Sequence, residues 1–338
     1  MVSKQQLIDD LIKIGVCRGD HVAVSLSLKS IGYVQGGPNT FIDALLEAVG
    51  PKGTIMMNTY THAVSLFALT PDFMFDSKKT IPNTGLVPKT LLRKEEAIRS
   101  KHPITSVAAI GYFAKFLTKD HDGRSNPFLP YEKLGQINGK YLCIGVGNRL
   151  VAIRHQAQRR AKLFRAPIFL GAYYKRLSGK RGLYVRQLLP CVDNLHSIVP
   201  KVEEKIHFKR GKVGLADSIL VDAEELIETM AQILKQNPEL GLCDRILCFK
   251  CREFERHHNL YSKIEKPRFF QRNIIARTAL FGLNKLILSQ FRYAIVCNSE
   301  DNKIIKKKVL DFAIEIMFNI ALRLLRKKKT IELKSFKS

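Results

Sequence analysis

The sequence predicts an α/β fold: an open mixed sheet flanked by helices, with a basic helical C-terminal extension. Three observations carry that expectation. Short runs rich in Val, Ile and Leu, bounded by Gly or Pro, alternate with segments of helical periodicity over residues 1–242, the order that builds an open sheet covered by helices. Hydrophobic residues make up 46% of the 338 positions, too many for a disordered chain and enough for a large core. Charge is unevenly spread. Residues 1–150 hold 18 Lys and Arg against 12 Asp and Glu, whereas residues 151–338 hold 38 against 18, so most of the net +26 lies in the second half.

Residues 5–15 read as a helix with Leu7, Leu11, Ile12 and Ile14 on one face. Gly19-Asp20 turns the chain into a Val-rich strand over 21–28. Gly36-Gly37-Pro38 breaks the pattern, and Asn39 or Thr40 caps a helix over 41–49. A Gly50–Gly53 turn leads into a buried strand, 54–58. Residues 62–98, with Pro71, Pro82, Gly85 and Pro88, read as a loop region over a site, ending in a short helix at 86–94. A strand follows at 107–111, a helix at 113–119, a central strand at 140–146 and a helix from about 150 to 163. Residues 183–221 suggest short strands with a turn at Gly211, and 223–235 is an amphipathic helix. The natural division is an enzyme-like domain at 1–242 and the basic extension at 243–338.

In open α/β sheets ligands sit at the carboxyl ends of the strands. His155 lies just past one such end, the Gly145–Gly147 turn. Its imidazole titrates near neutrality and suits a general base. The bland alternative is a histidine that only packs its helix.

Six stretches carry a family resemblance: V-A-V-S-L-S-L-K-S-I-G (22–32), D-A-L-L-E-A-V-G-P-K-G-T (43–54), R-S-K-H-P-I-T-S-V-A-A-I-G (99–111), P-Y-E-K-L (130–134), G-V-G-N-R-L-V-A-I-R-H-Q-A-Q (145–158) and G-K-V-G-L-A-D-S-I-L-V-D-A (211–223). Together they resemble the aminoglycoside 3-N-acetyltransferase family over about residues 5–242. The resemblance implies transfer of an acetyl group from acetyl-CoA to an amine of an amino sugar, without a metal. It implies that His155 is the base and that Ser25, Leu26, Ser27 and Leu28 meet the pantetheine arm. His102, Pro103, Ser106 and Val107 then line the cofactor cleft, and Tyr131 faces the acceptor. For His102-Pro103 the alternative is a structural turn, as it is for Ser27. Two departures stand out. The family has a histidine where this chain has Ser25, and a glutamate where it has Gln158. Gln158 can orient a ring but adds no negative charge, so His155 is expected to be a weaker base.

The basic second half favours an anionic partner. That points away from a polycationic aminoglycoside as acceptor and toward a nucleotide-linked or lipid-linked amino sugar. Residues 309–325 carry polar side chains only at Asp311, Glu315, Asn319 and Arg323, one narrow helical stripe between Lys306–Lys308 and Arg326–Lys329. Residues 268–293 have the same basic amphipathic character. Peripheral membrane contact through 268–329 fits this pattern; a helix docked on the protein's own core or a homodimer seam is the alternative. The N-terminal segment is a charged amphipathic helix rather than an apolar leader, and the seven Cys read as reduced thiols. The expected location is cytoplasmic, peripheral at the inner membrane face. Cys243, Cys248 and Cys251, with Cys297, His257 and His258 further on, have a ligand-like spacing, but one close Cys pair favours free thiols and no metal. Phe269, Phe270, Phe291 and Tyr293 among basic residues suggest a stacking surface, yet no nucleic-acid module is recognisable and no nucleic acid is expected. The competing function class is a catalytically impaired CoA-binding homologue, a scaffold at a membrane surface.

Overall fold

The computed structural model describes residues 1–62, 64–65, 74–147, 150–163, 167–175, 178–187 and 195–242. The chain opens with α1 (Lys4–Lys13), capped by Ser3, whose hydroxyl accepts from Gln6 N at 3.2 Å. Then come β1 (His21–Leu26), a short α2 (Leu28–Ile31), α3 (Gly37–Val49) and β2 (Thr54–Asn58). Short strands β3 (Val64–Ser65) and β4 (Met74–Phe75) precede α4 (Leu86–Leu91), β5 (Ile98–Arg99) and β6 (Val107–Gly111). Next are α5 (Ala114–Thr118), α6 (Leu129–Gln136), β7 (Lys140–Ile144) and α7 (Val151–Arg160). The described chain closes with β8 (Pro167–Lys175), β9 (Arg181–Gln187), α8 (Leu195–Glu203), β10 (Lys209–Val213), β11 (Ala216–Asp222), α9 (Ala223–Gln236) and a 3-10 turn, Pro238–Gly241. All of these except β3 belong to one compact unit.

The main sheet has seven strands in the order β10-β11-β7-β1-β2-β6-β5. β7, β1 and β2 are parallel, whereas β11, β10, β6 and β5 join antiparallel, so the sheet is mixed as expected. Side chains alternate across it. In β7, Tyr141 and Cys143 face a core shared with α5, α6, α7 and α9, while Leu142 and Ile144 face a second core shared with α1 and α3. Ala23 of β1 joins the first core and Val22 and Val24 the second. In a separate small sheet, β8 pairs with β4 in parallel and with β9 in antiparallel register.

Several boundaries differ from the sequence reading, each for a local reason. β1 stops at Leu26 because Ser27 caps α2, its hydroxyl accepting from Ser30 N at 3.3 Å. α3 begins at Gly37 and not after Asn39 or Thr40: Gly36 is left-handed at the cap, and Pro38 occupies the first turn, where its missing N–H costs nothing. Gly211 lies inside β10; the hairpin turns at Gly214, which has φ +59° and whose N–H donates to Asp10 Oδ2 at 2.8 Å. Helices α6 and α8 were not foreseen; α6 carries Pro130 in its first turn and α8 has Pro200 inside it. The extension, its cysteines and both amphipathic segments lie outside the described residues.

Candidate active site

The parallel strands β7, β1 and β2 bring their carboxyl ends together at Ile144–Gly145, Ser25–Leu26 and Asn58. Gly145 lets the chain leave β7 abruptly. It has φ +63°, and a Cβ there would lie 2.4 Å from Ser30 Cβ, so only glycine fits. α7 then carries His155 and Gln158 on one face, one helical turn apart. The helix is tied down by Arg160, whose guanidinium donates to Glu224 Oε2 at 3.1 Å and to Glu228 Oε2 at 3.3 Å on α9.

His155 is 6% exposed and Gln158 1%. His155 Nδ1 is 2.8 Å from Gln158 Oε1. An amide oxygen only accepts, so with Oε1 toward the ring Nδ1 carries the proton and the lone pair sits on Nε2. The Phe128 ring lies 5.1 Å from the imidazole. Next to His155, Gln156 Oε1 accepts from Asn126 Nδ2 at 2.9 Å, and both side-chain amides donate to Glu132 Oε2 at 3.3 Å. Asn126 Oδ1 in turn accepts from Phe128 N at 2.9 Å, which fixes the ring that packs on His155.

The strand ends hold a set of hydroxyls. Ser25 Oγ is 2.8 Å from the Tyr141 hydroxyl, and Tyr131 donates to Asn58 Oδ1 at 2.8 Å. The Tyr131 and Tyr141 rings are 5.9 Å apart. Burial raises the pKa of both phenols, opposed at Tyr131 by hydrogen bonds to Asn58 and Tyr60, so both stay protonated. Burial likewise pushes the Cys143 thiol up to about 12. Ser25, Leu26, Ser27 and Leu28 are half-buried at the end of β1. The Ser27 hydroxyl is already engaged, capping α2 and accepting from Ser30 Oγ at 2.9 Å, and its N–H donates to Ile144 O at 2.9 Å.

Residues 102–107, expected to line a cofactor cleft, are buried and lead into β6, which pairs with β2. His102 is fully enclosed; its Nδ1 accepts the N–H groups of Ile104 at 3.2 Å and Thr105 at 2.9 Å, and its ring stacks on His121 at 4.9 Å. Burial, aided by His121, lowers its pKa well below the usual histidine value. Ser106 Oγ donates to Thr59 O at 2.7 Å, the Pro103 carbonyl accepts from the Thr61 hydroxyl, and Val107 is a core residue pairing with Asn58. The side chains of His102, Ser106 and Val107 are all buried. Arg99 organises this segment. Its guanidinium donates to Thr59 O at 2.8 Å, to Ser106 Oγ at 3.2 Å and to the Thr80 carbonyl. Burial lowers its pKa to about 10, partly offset by Asp76, so it remains a cation at neutral pH.

Sequence reasoning missed Asn58, Asn126, Glu132, Gln156 and Tyr141. For Asn126 the Ser-Asn-Pro turn signature was a usable signal; the others lie in ordinary strand and helix patterns. Among the described residues no group of three His, Cys, Asp or Glu is placed to hold a metal, and no helix is long and apolar enough to cross a membrane.

With this mixed α/β fold, the family model and the relatives it matches place the chain among the N-acetyltransferases. More narrowly, the chain belongs to the aminoglycoside 3-N-acetyltransferase family, whose model matches residues 24–235. Aminoglycoside N(3)-acetyltransferase III of Acinetobacter baumannii is 32% identical over 260 residues, 67% of this chain and 89% of its own. The apoenzyme crystal structure of aminoglycoside acetyltransferase AAC(3)-IVa superimposes with a TM-score of 0.63 at 26% identity, covering 75% of this chain and 97% of that one. AAC-IIIb, solved as a binary complex with CoASH, shares the fold at 23% identity and a TM-score of 0.61, over 70% of this chain and 97% of its own.

Proposed function

We propose that this protein transfers the acetyl group of acetyl-CoA to the primary amine of an amino sugar, with His155 as general base. The observation that supports this reading best is the His155–Gln158 hydrogen bond of 2.8 Å on α7, which with the amide oxygen toward the ring puts the imidazole lone pair on Nε2. The amine nitrogen attacks the thioester carbonyl; the C–N bond forms and the C–S bond breaks. His155 Nε2 takes the amine proton and returns it to the departing thiolate of CoA. No metal takes part in this scheme.

Family membership and the CoASH complex of AAC-IIIb support acetyl-CoA as donor. Ser25–Leu28, at the end of β1, are proposed to flank the pantetheine arm chiefly through backbone, since the Ser25 and Ser27 hydroxyls have protein partners. Tyr131, fixed by Asn58, stands toward the acceptor. His102, Pro103, Ser106 and Val107 act by shaping the cleft. The net +26 supports a phosphate-bearing acceptor, a nucleotide-linked or lipid-linked amino sugar, over a polycationic aminoglycoside. Residues 268–329 would hold such an enzyme at a membrane surface.

An acetyl-CoA assay reading thiol release tests the reading. Turnover with a nucleotide-linked amino sugar and loss of at least 100-fold in His155→Ala are expected. Turnover confined to aminoglycosides overturns the acceptor assignment, and unchanged turnover in His155→Ala overturns the base.

A further inference from the structure

The Gln158 amide has two ends, and one of them stands alone. Oε1 accepts from His155 Nδ1, but Nε2 is buried without a hydrogen-bond partner among the described residues. The direction of this amide decides the histidine tautomer. With Oε1 toward the ring the proton is on Nδ1; with the amide reversed, Nδ1 becomes the acceptor and Nε2 carries the proton. Nothing within the pair itself prefers one direction.

A second lone polar atom belongs to the turn that faces this amide. The turn Pro238–Gly241 follows α9, and Gly241 faces the Gln158 amide: a Cβ built there would be 4.0 Å from Gln158 Nε2. Two residues earlier on the same turn, Glu239 has Oε2 buried, again without a hydrogen-bond partner among the described residues. The turn is held by Leu242 N donating to Glu239 O at 2.9 Å and by Arg154 Nη2 donating to Gly241 O at 3.2 Å. An unmet donor facing a turn that carries an unmet acceptor calls for an explanation.

We propose that Glu239 is a positioning residue of this site. By rotation of its side chain the carboxylate accepts from Gln158 Nε2. A carboxylate only accepts, so it repels the reversed amide and fixes Oε1 toward His155. The lone pair is thereby kept on His155 Nε2. When the imidazole takes a proton, the positive charge is steadied through Gln158 by a carboxylate beyond it. The negative charge that Gln158 lacks is supplied from Glu239. This inference rests on His155 acting as the base.

Two readouts test it, and one does not depend on turnover. Long-range proton–nitrogen NMR of the histidine rings is expected to show the His155 proton on Nδ1 in the wild type and a mixture of tautomers in Glu239→Leu. In the acetyl-transfer assay Glu239→Leu is expected to lose about tenfold in kcat/KM for the amine. Its acid limb should move to lower pH while KM for acetyl-CoA stays within twofold. Gln158→Glu placed in the Glu239→Leu background should restore kcat/KM to within threefold. Glu239→Gln, which keeps the shape, should move the acid limb in the same direction. An unmoved tautomer together with an unmoved pH profile overturns the proposal. A loss of thermal stability without rescue by Gln158→Glu also overturns it, because that pattern marks a structural role alone. Failure of the base reading shows separately, as unchanged turnover in His155→Ala.

Discussion

Lowering the pH from 7 to 5 should destabilise this fold through the stacked pair His102 and His121. His121 is 1% exposed; Ser100 Oγ, 2.9 Å from Nδ1, donates to it, and Nε2 donates to Pro127 O at 3.2 Å. Both nitrogens are thus satisfied in the neutral ring. Burial is the main cause that lowers its pKa from 6.5 to about 3, with Lys133 adding to it and the Pro127 bond and Asp122 opposing. The unfolded chain therefore binds a proton below pH 6.5 that the folded one refuses until about pH 3. Stability from this group is complete above pH 6.5 and declines as the pH falls toward 3. Each pH unit inside that window is worth about 1.4 kcal/mol, so His121 alone removes about 2 kcal/mol between pH 6.5 and 5. His102 acts in the same direction. Urea unfolding at pH 7 and pH 5 measures this, with His121→Gln as the comparison because it keeps a donor and cannot titrate. The pH-dependent loss should be about 2 kcal/mol smaller in the variant. Equal losses in the two proteins would refute the reasoning.

Other changes have equally definite outcomes. Gly145→Ala combines a left-handed backbone with a clash against Ser30 Cβ, and chemical denaturation should show a loss of about 2–4 kcal/mol. Tyr131→Phe leaves Asn58 Oδ1 without its phenol donor and should cost about 1–2 kcal/mol, read by the same measurement. Buried Cys143, its thiol raised to about 12, should resist iodoacetamide in the native protein while exposed Cys17 is alkylated; peptide mass mapping distinguishes the two.

The strands that position the site were readable because their Val, Ile and Met runs are bounded by glycines with clear turn roles, as at Gly53 before Thr54–Asn58 and Gly145 after Lys140–Ile144. The spacing of His155 and Gln158 was readable too, since three residues apart on a helix means one face. Helix starts were harder. Gly36-Gly37-Pro38 looked like a break, yet proline in a first turn begins α3. The hydrogen bonding of His102 was hidden because His-Pro in a polar segment gives no sign that two backbone N–H groups fold back onto Nδ1. The hydroxyls at the strand ends were hidden for a similar reason. Asn58, Tyr131 and Tyr141 meet only when β2, α6 and β7 assemble, and no spacing along the chain encodes that. Nor does any local pattern connect Glu239 with Gln158, 81 positions apart.

The proposed role of His155 is to remove the proton from an amine attacking acetyl-CoA. The most direct test is CoA thiol release by wild type and His155→Ala with a nucleotide-linked amino sugar, at matched thermal stability. Loss of at least 100-fold in the variant, with KM for acetyl-CoA unchanged, is predicted. Equal rates in the two proteins would contradict it.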